Sequence, residues 1–174
     1  MRKFLPWIIL AVVILIGYSY FKGINNKAVT LEQDVKESWG NVQTAYQRRN
    51  DLIGNLVKTV QGAAEYEKGT LTAVIEARAK ATQVTVDPTN ITPEQLTQFN
   101  QAQSGLSSSL SRLLVTVEQY PSLKANENFL KLQDELASTE NQILTARTRY
   151  NEAIKPYNNH VKVFKNNIFA GWFG

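Results

Sequence analysis

The chain has 174 residues, 43% of them hydrophobic, with a formal net charge of +4, no cysteine and one histidine. That length is enough for one domain plus a small appendage, and the missing cysteine excludes disulfides, thiolate catalysis, zinc-thiolate sites and the acylated cysteine of a lipoprotein. Lys and Arg alternate with Asp and Glu along most of the chain instead of forming a basic stripe, so no nucleic-acid partner is expected.

The first segment, "MRKFLPWIILAVVILIGYSYFKG", opens with Arg2 and Lys3, carries no charge from Phe4 to Phe21, and closes on Lys22. As a helix that run covers roughly 27 Å, close to the hydrocarbon thickness of a bilayer. Phe4, Trp7, Ile8, Leu15, Tyr18 and Tyr20 are the expected anchor residues, with the aromatic rings near the two ends where interfaces favour them. A cleaved signal peptide shares the basic start and apolar stretch. The residues that follow, "YSYFKGINN", are bulky where a peptidase needs small ones, which favours an uncleaved anchor over residues 1–24. Arg2, Lys3 and the amino terminus outweigh Lys22 and Lys27, so the N-terminus is expected in the cytoplasm and the rest of the chain outside it, anchored by a single pass in a bacterial inner membrane.

From Thr30 onward no strand-like alternation is sustained, and apolar positions step by three and four. Val35, Trp39, Val42, Tyr46, Ile53, Leu56, Val60 and Ala63 form one seam, and Arg49 occupies its missing slot. Gly62 and Gly69 bracket "GAAEYEKG", which fits a turn; one continuous helix with two tolerated glycines fits the same letters, since each costs only about 1 kcal/mol against alanine. A shorter second helix would bury Leu71, Val74, Ile75, Arg78 and Ala81. Pro88 breaks the chain, and Thr92-Pro93-Glu94-Gln95 has the form of a capping box with proline at the first helical position. The third helix would bury Leu96, Phe99, Leu106, Leu110, Leu113, Leu114 and Val117. It stops at "QYPSL", where Pro121 holds Tyr120 extended. The last helix carries Phe129, Leu132, Leu136, Ile143, Tyr150, Ile154, Tyr157, Val161 and Phe164, with Glu140 and Arg147 in the gaps and Pro156 as an expected kink.

The fold class is therefore all-α: a transmembrane helix, then an antiparallel four-helix bundle with long coiled-coil-like helices over residues 25–164. Residues 165–174 are expected as a separate aromatic tail, too short and glycine-bearing for a bundle helix. Phe164, Ile168, Phe169, Trp172 and Phe173 would either lie in the membrane interface or cover the open end of the bundle.

Measured at 1.5 Å per residue from the membrane end, Arg49 and Glu140 both lie about 36 Å up an up-down bundle, with Arg78 close to the same layer and Arg147 two turns below. These four residues form an expected buried polar layer. One reading is a lock that sets helix register; the other is an anion site in which the arginines converge on a carboxylate or phosphate.

The blocks "YQRRNDLIGNLVKTVQGAAEYEKGTLTAVIEARAKA" (Tyr46 to Ala81) and "YPSLKANENFLKLQDELASTENQILTARTRYNEAI" (Tyr120 to Ile154) resemble the two hallmark blocks of bacterial LemA proteins, and the anchor matches as well. The resemblance implies a membrane-anchored, antiparallel helical bundle, and some relatives are tied to organising bacterial membranes. Gly54 stands where the family usually has proline, and "FKNNIFAGWFG" departs from the usual C-terminal pattern. The sequence offers no catalytic constellation, cofactor loop or metal-ligand cluster, so no enzyme, cofactor or metal is expected. His160 reads as a solvated residue. The expected role is a scaffold that self-associates as a homo-oligomer on the lipid membrane; the alternative is a sensor or adaptor that binds an anionic ligand or a membrane protein partner such as a peptidase.

Overall fold

The computed structural model describes residues 5–62, 68–87 and 91–173, with side chains from residue 7 to 163 except residue 21. Every regular element among the described residues is helical: α1 (Leu5–Gln61), α2 (Lys68–Gln83), α3 (Pro93–Val117), α4 (Pro121–Lys124) and α5 (Glu127–Phe173). Two compact units are formed, one from residues 1–37 and 150–174 and one from residues 38–149.

In the unit of residues 38–149, partner positions fix the helix directions. Asn50 on α1 meets Arg78 on α2, while Gln43 meets Val86 just beyond α2, so these two helices run antiparallel. Trp39 meets Phe99 and Arg49 meets Gln103, so α1 and α3 run the same way. Each helix brings an apolar stripe to one core. That core comprises Leu52, Ile53, Leu56, Val57 and Val60 of α1, Leu71, Val74 and Ala81 of α2, Leu106, Leu110, Leu113 and Val117 of α3, Leu123 of α4, and Phe129 and Leu136 of α5. Burial of this apolar surface is the main stabilising term.

Helix starts follow local chemistry. At α3 the Gln95 amide donates to Thr92 Oγ1 and the Thr92 amide to Gln95 Oε1, each at 3.2 Å, closing the capping box around Pro93. Tyr120 is extended (φ −115°, ψ 90°) before Pro121, which opens the one-turn helix α4, an element the apolar spacing alone does not reveal. Asn126 Oδ1 then accepts from the Phe129 amide at 3.1 Å and caps α5, as a short polar side chain does at a helix start.

Three expectations change. Ile75 is exposed on α2, because Leu71, Val74 and Ala81 already fill the inward positions. Gly69 lies inside α2 instead of closing the turn, and Ala63 lies outside the described residues. Residues 165–173, expected to leave the bundle as a tail, are helical backbone within α5; a single glycine at position 171 is too weak a breaker to end a helix this long. The side chains of Phe164, Ile168, Phe169, Trp172 and Phe173, and all of Phe4, lie outside the described residues.

In the other unit, α1 leaves its apolar stretch bare. Trp7 is 70% exposed and Tyr20 73%, and Ile8, Leu15 and Tyr18 are exposed between them. The stretch passes the length and hydropathy requirements of a membrane span. Beyond it, His160 Nε2 lies 3.1 Å from the Ile24 carbonyl oxygen, so the half-buried histidine ties α5 to α1 and is not simply solvated.

Candidate functional site

The polar feature with the most partners sits where α1, α3 and α5 meet in the unit of residues 38–149. Helical spacing carries Arg49 inward between Tyr46 and Ile53, and its side chain is only 3% exposed. Arg49 Nη1 donates to Glu140 Oε1 on α5 at 2.9 Å and to Ser107 Oγ on α3 at 3.1 Å. Its Nη2 donates to Gln103 Oε1 and, at 3.4 Å, to the Gln103 carbonyl. The guanidinium also lies 4.9 Å from the centre of the Tyr46 ring, a cation–π distance, and Tyr46 meets Phe99 edge-on at 4.9 Å. Gln103 passes the linkage on, since its Nε2 donates to the Ala81 carbonyl of α2 at 3.5 Å. One guanidinium thus joins α3 and α5 to α1 and reaches α2 through a single glutamine.

The electrostatics are asymmetric. Glu140 is 50% exposed, so its carboxylate keeps part of its hydration while it neutralises a cation that has lost nearly all of its own. That arrangement costs less than burying both ions, and the remaining polar partners are neutral hydrogen-bond acceptors. A neighbouring pair, Arg48 Nη2 to Glu135 Oε2 at 3.0 Å, is solvated on both sides and belongs to the surface.

The other two expected members of the layer lie elsewhere. Arg78 is half-buried, and its Nε donates to the Asn50 carbonyl of α1 at 2.8 Å, so it grips helix backbone instead of joining a ring of charges. Gly54 permits this: a Cβ there would lie 3.1 Å from Arg78 Cζ and Nη2, tighter than an ordinary contact. Arg147 is exposed and outside the layer. The inward series on α5 is Phe129, Leu136, Thr139, Ile143, Ala146 and Tyr150, so Thr139 and Ala146 hold the slots assigned by spacing to Glu140 and Arg147. Glu140 still reaches Arg49 because its side chain is long and the site faces the rim of the seam.

Sequence spacing passed over Gln103, although Phe99, Gln103, Leu106, Leu110 and Leu113 keep the alternating four-three step. Its signal was a polar residue in an otherwise apolar register. Ser107 was equally legible, one turn after Gln103. Asn50, buried beside Arg49, has no signal in apolar spacing at all.

Between α1 and α5 of this same unit runs an open groove of about 750 Å³. Its lining includes Asn41, Thr44 and Arg48 from α1 and Asn141, Thr145 and Arg149 from α5. Most of the residues that line it are polar, yet Thr44 and Thr145 spend their hydroxyls on carbonyls of their own helices, at 2.9 Å each. Among the described residues no cluster of three or more His, Cys, Asp or Glu is placed to hold a metal ion.

A model of the LemA family matches residues 38–174. The chain is 26% identical over 164 residues to a protein LemA of Metamycoplasma hominis, covering 93% of this chain and 71% of the relative. It is 26% identical over 162 residues to magnetosome protein MamQ 2 of Paramagnetospirillum magneticum, covering 83% of this chain and 60% of that protein. The MamQ of Magnetospirillum gryphiswaldense is 25% identical over 150 residues, with 76% and 55% covered. The chain thus spans under two thirds of the MamQ proteins it matches.

Proposed function

The chain belongs to the LemA family, and from that premise we propose that it is a non-enzymatic, membrane-anchored scaffold that self-associates to organise or shape the bacterial membrane. The observation that carries this reading is the bare apolar stretch of α1, from Trp7 to Tyr20, on the same helix that supplies Arg49 to the bundle. Exposed apolar area on that scale is unfavourable in water and is relieved by a bilayer. The polar layer supports an architectural role, because Arg49 spends both terminal nitrogens on Gln103, Ser107 and Glu140 and keeps only its buried Nε without a partner. Neither LemA nor MamQ is the name of an enzyme.

The test is the mass of the intact, detergent-extracted chain by sedimentation or mass photometry across a concentration series. Self-association beyond the monomer is expected; a monomer at every concentration refutes the scaffold. The proposed topology is a single pass in the inner membrane with the N-terminus cytoplasmic, the side that carries Arg2, Lys3 and the terminal amine; the lysines on the bundle side of the span pull the other way, and labelling decides between them. Because the chain has no cysteine, one cysteine placed in the exposed bundle surface reports it. Labelling by an impermeant maleimide in cells with a permeabilised outer layer is expected, and protection overturns this orientation.

The open groove between α1 and α5 favours a second reading, an adaptor that docks a membrane protein partner. That reading predicts loss of partner capture on Arg149→Glu with helicity unchanged.

A further inference from the structure

All fifteen acidic residues fall between Glu32 and Glu152, together with twelve of the nineteen Lys and Arg. The flanking segments hold the other seven cations and no acid. Arg2 and Lys3 precede the apolar stretch, and five lysines follow it in space or sequence: Lys22, Lys27, Lys155, Lys162 and Lys165. The central part of the chain is therefore net negative, and the segments next to the apolar stretch are purely basic.

The structure brings two of these basic segments together. The contact between His160 and the Ile24 carbonyl sets α5 against α1 four residues past Tyr20, the last residue of the bare apolar stretch. Lys22 and Lys27 lie two and three residues from Ile24, while Lys162 and Lys155 lie two and five residues from His160. At 1.5 Å per residue, all four backbones fall within about 8 Å of that contact along the helices. All four side chains are exposed, and none forms an ion pair among the described residues. The nearest acid on α1, Glu32, is already taken by Lys36 at 2.5 Å. Asn25, Asn26, Asn158 and Asn159 are exposed in the same band and add amide donors.

We infer that this band is a lysine collar that binds anionic phospholipid headgroups around the base of the span. The inference rests on the reading of the apolar stretch as membrane-inserted. Four like charges spread over about 10 Å of helix repel one another at roughly a Debye length, and a negative lipid surface at their own height supplies the counterions. The headgroup layer is roughly 5 to 8 Å thick on each face of a bilayer, and flexible lysine side chains let a band about 10 Å high converge on it. Ammonium groups and amides suit phosphodiester oxygens, and the absence of acids throughout both segments removes any internal competitor.

The experiment uses the full-length chain in vesicles of phosphatidylcholine with one fifth phosphatidylglycerol. Flotation and a carbonate wash come first. If the chain washes off, the membrane-spanning reading fails and the collar falls with it. With the chain retained, electron spin resonance of spin-labelled phosphatidylglycerol and phosphatidylcholine reports which lipid contacts the protein. The expected preference for the anionic lipid is on the order of fivefold at low salt, the selectivity of one lysine near such a surface, and it declines toward parity in 1 M NaCl. The combined variant Lys22→Gln, Lys27→Gln, Lys155→Gln, Lys162→Gln loses it, with helicity checked by circular dichroism. Lys124→Gln with Lys131→Gln, which changes the other end of α5 and its approach, keeps it. Equal contact by both lipids at low salt, or a preference that survives in the fourfold variant, overturns the collar while leaving the span intact.

Discussion

Replacing Arg49 with alanine removes every contact of the guanidinium in the polar layer at once. The buried Gln103 Oε1 loses a charged donor, Ser107 Oγ loses a partner, and the space under Tyr46 empties. Glu140, half in solvent, turns to water and adds little to the loss. An unsatisfied buried acceptor costs about 1 to 3 kcal/mol, and truncation of a long buried side chain adds a cavity, so Arg49→Ala should destabilise the fold by about 3 to 5 kcal/mol. Arg49→Met keeps most of the volume and should cost about 1 to 2 kcal/mol less than alanine, because packing replaces part of what the ion supplied. The assay is urea unfolding in mild detergent, followed by circular dichroism, with Glu140→Gln and the double variant completing a cycle. The Arg49–Glu140 coupling should be about 1 to 3 kcal/mol, against about 0.2 to 1 kcal/mol for the solvated Arg48–Glu135 pair. Arg147→Ala serves as the exposed control and should stay within about 0.5 kcal/mol of the parent. A loss below about 1 kcal/mol for Arg49→Ala, or equal coupling in the two pairs, would refute the view that one buried cation holds these helices in register.

Three further measurements follow from the geometry. Gly54→Ala gains about 1 kcal/mol of helix propensity but displaces the Arg78 guanidinium from the Asn50 carbonyl, a bond worth about 0.5 to 1.5 kcal/mol, so it should be near neutral alone and stabilising by about 1 kcal/mol in an Arg78→Ala background. The same unfolding assay decides this, and an equal effect in both backgrounds removes Arg78 from the explanation. Thr92→Ala opens the capping box at α3 and should lower stability by about 1 kcal/mol; urea midpoints with an unchanged slope check it, and an unchanged midpoint contradicts it. Burial raises the Tyr150 phenol above its ordinary value of 10.0, so the unfolded chain loses that proton first. Its contribution is intact below pH 10 and declines as pH rises through the folded value. Ultraviolet titration should show a late phenol that Tyr150→Phe removes; a titration unchanged by that substitution speaks against it.

The interruptions of the fold were legible because they are local chemistry. The Thr92–Gln95 box and Pro121 act on their own backbone, and the structure starts α3 and α4 where those residues demand. The aromatic end of the chain continues α5 as helical backbone to Phe173, because composition registers Gly171 but not the cooperativity of a helix already running. Asn50 and the capping Asn126 escaped notice because apolar spacing says nothing about polar residues beside the seam.

By itself, the sequence determined that the chain is helical, that its first apolar run is long enough to cross a membrane, that Arg49 faces inward, and that its acids and lysines occupy different regions. Tertiary structure alone decided which residues on α5 share the seam. A helix advances about 100° per residue, so steps of three and four land about 60° short and 40° beyond the same direction. Thr139 and Glu140, or Ala146 and Arg147, are then both admissible until a neighbouring helix selects one. The structure selected Thr139 and Ala146, released Arg147 to solvent, left Glu140 at the rim within reach of Arg49, and gave Gly54 a purpose in the passage of Arg78 across α1. The meeting of the lysines on α1 and α5 has the same origin, since residues more than a hundred apart in sequence become neighbours only when the helices pack.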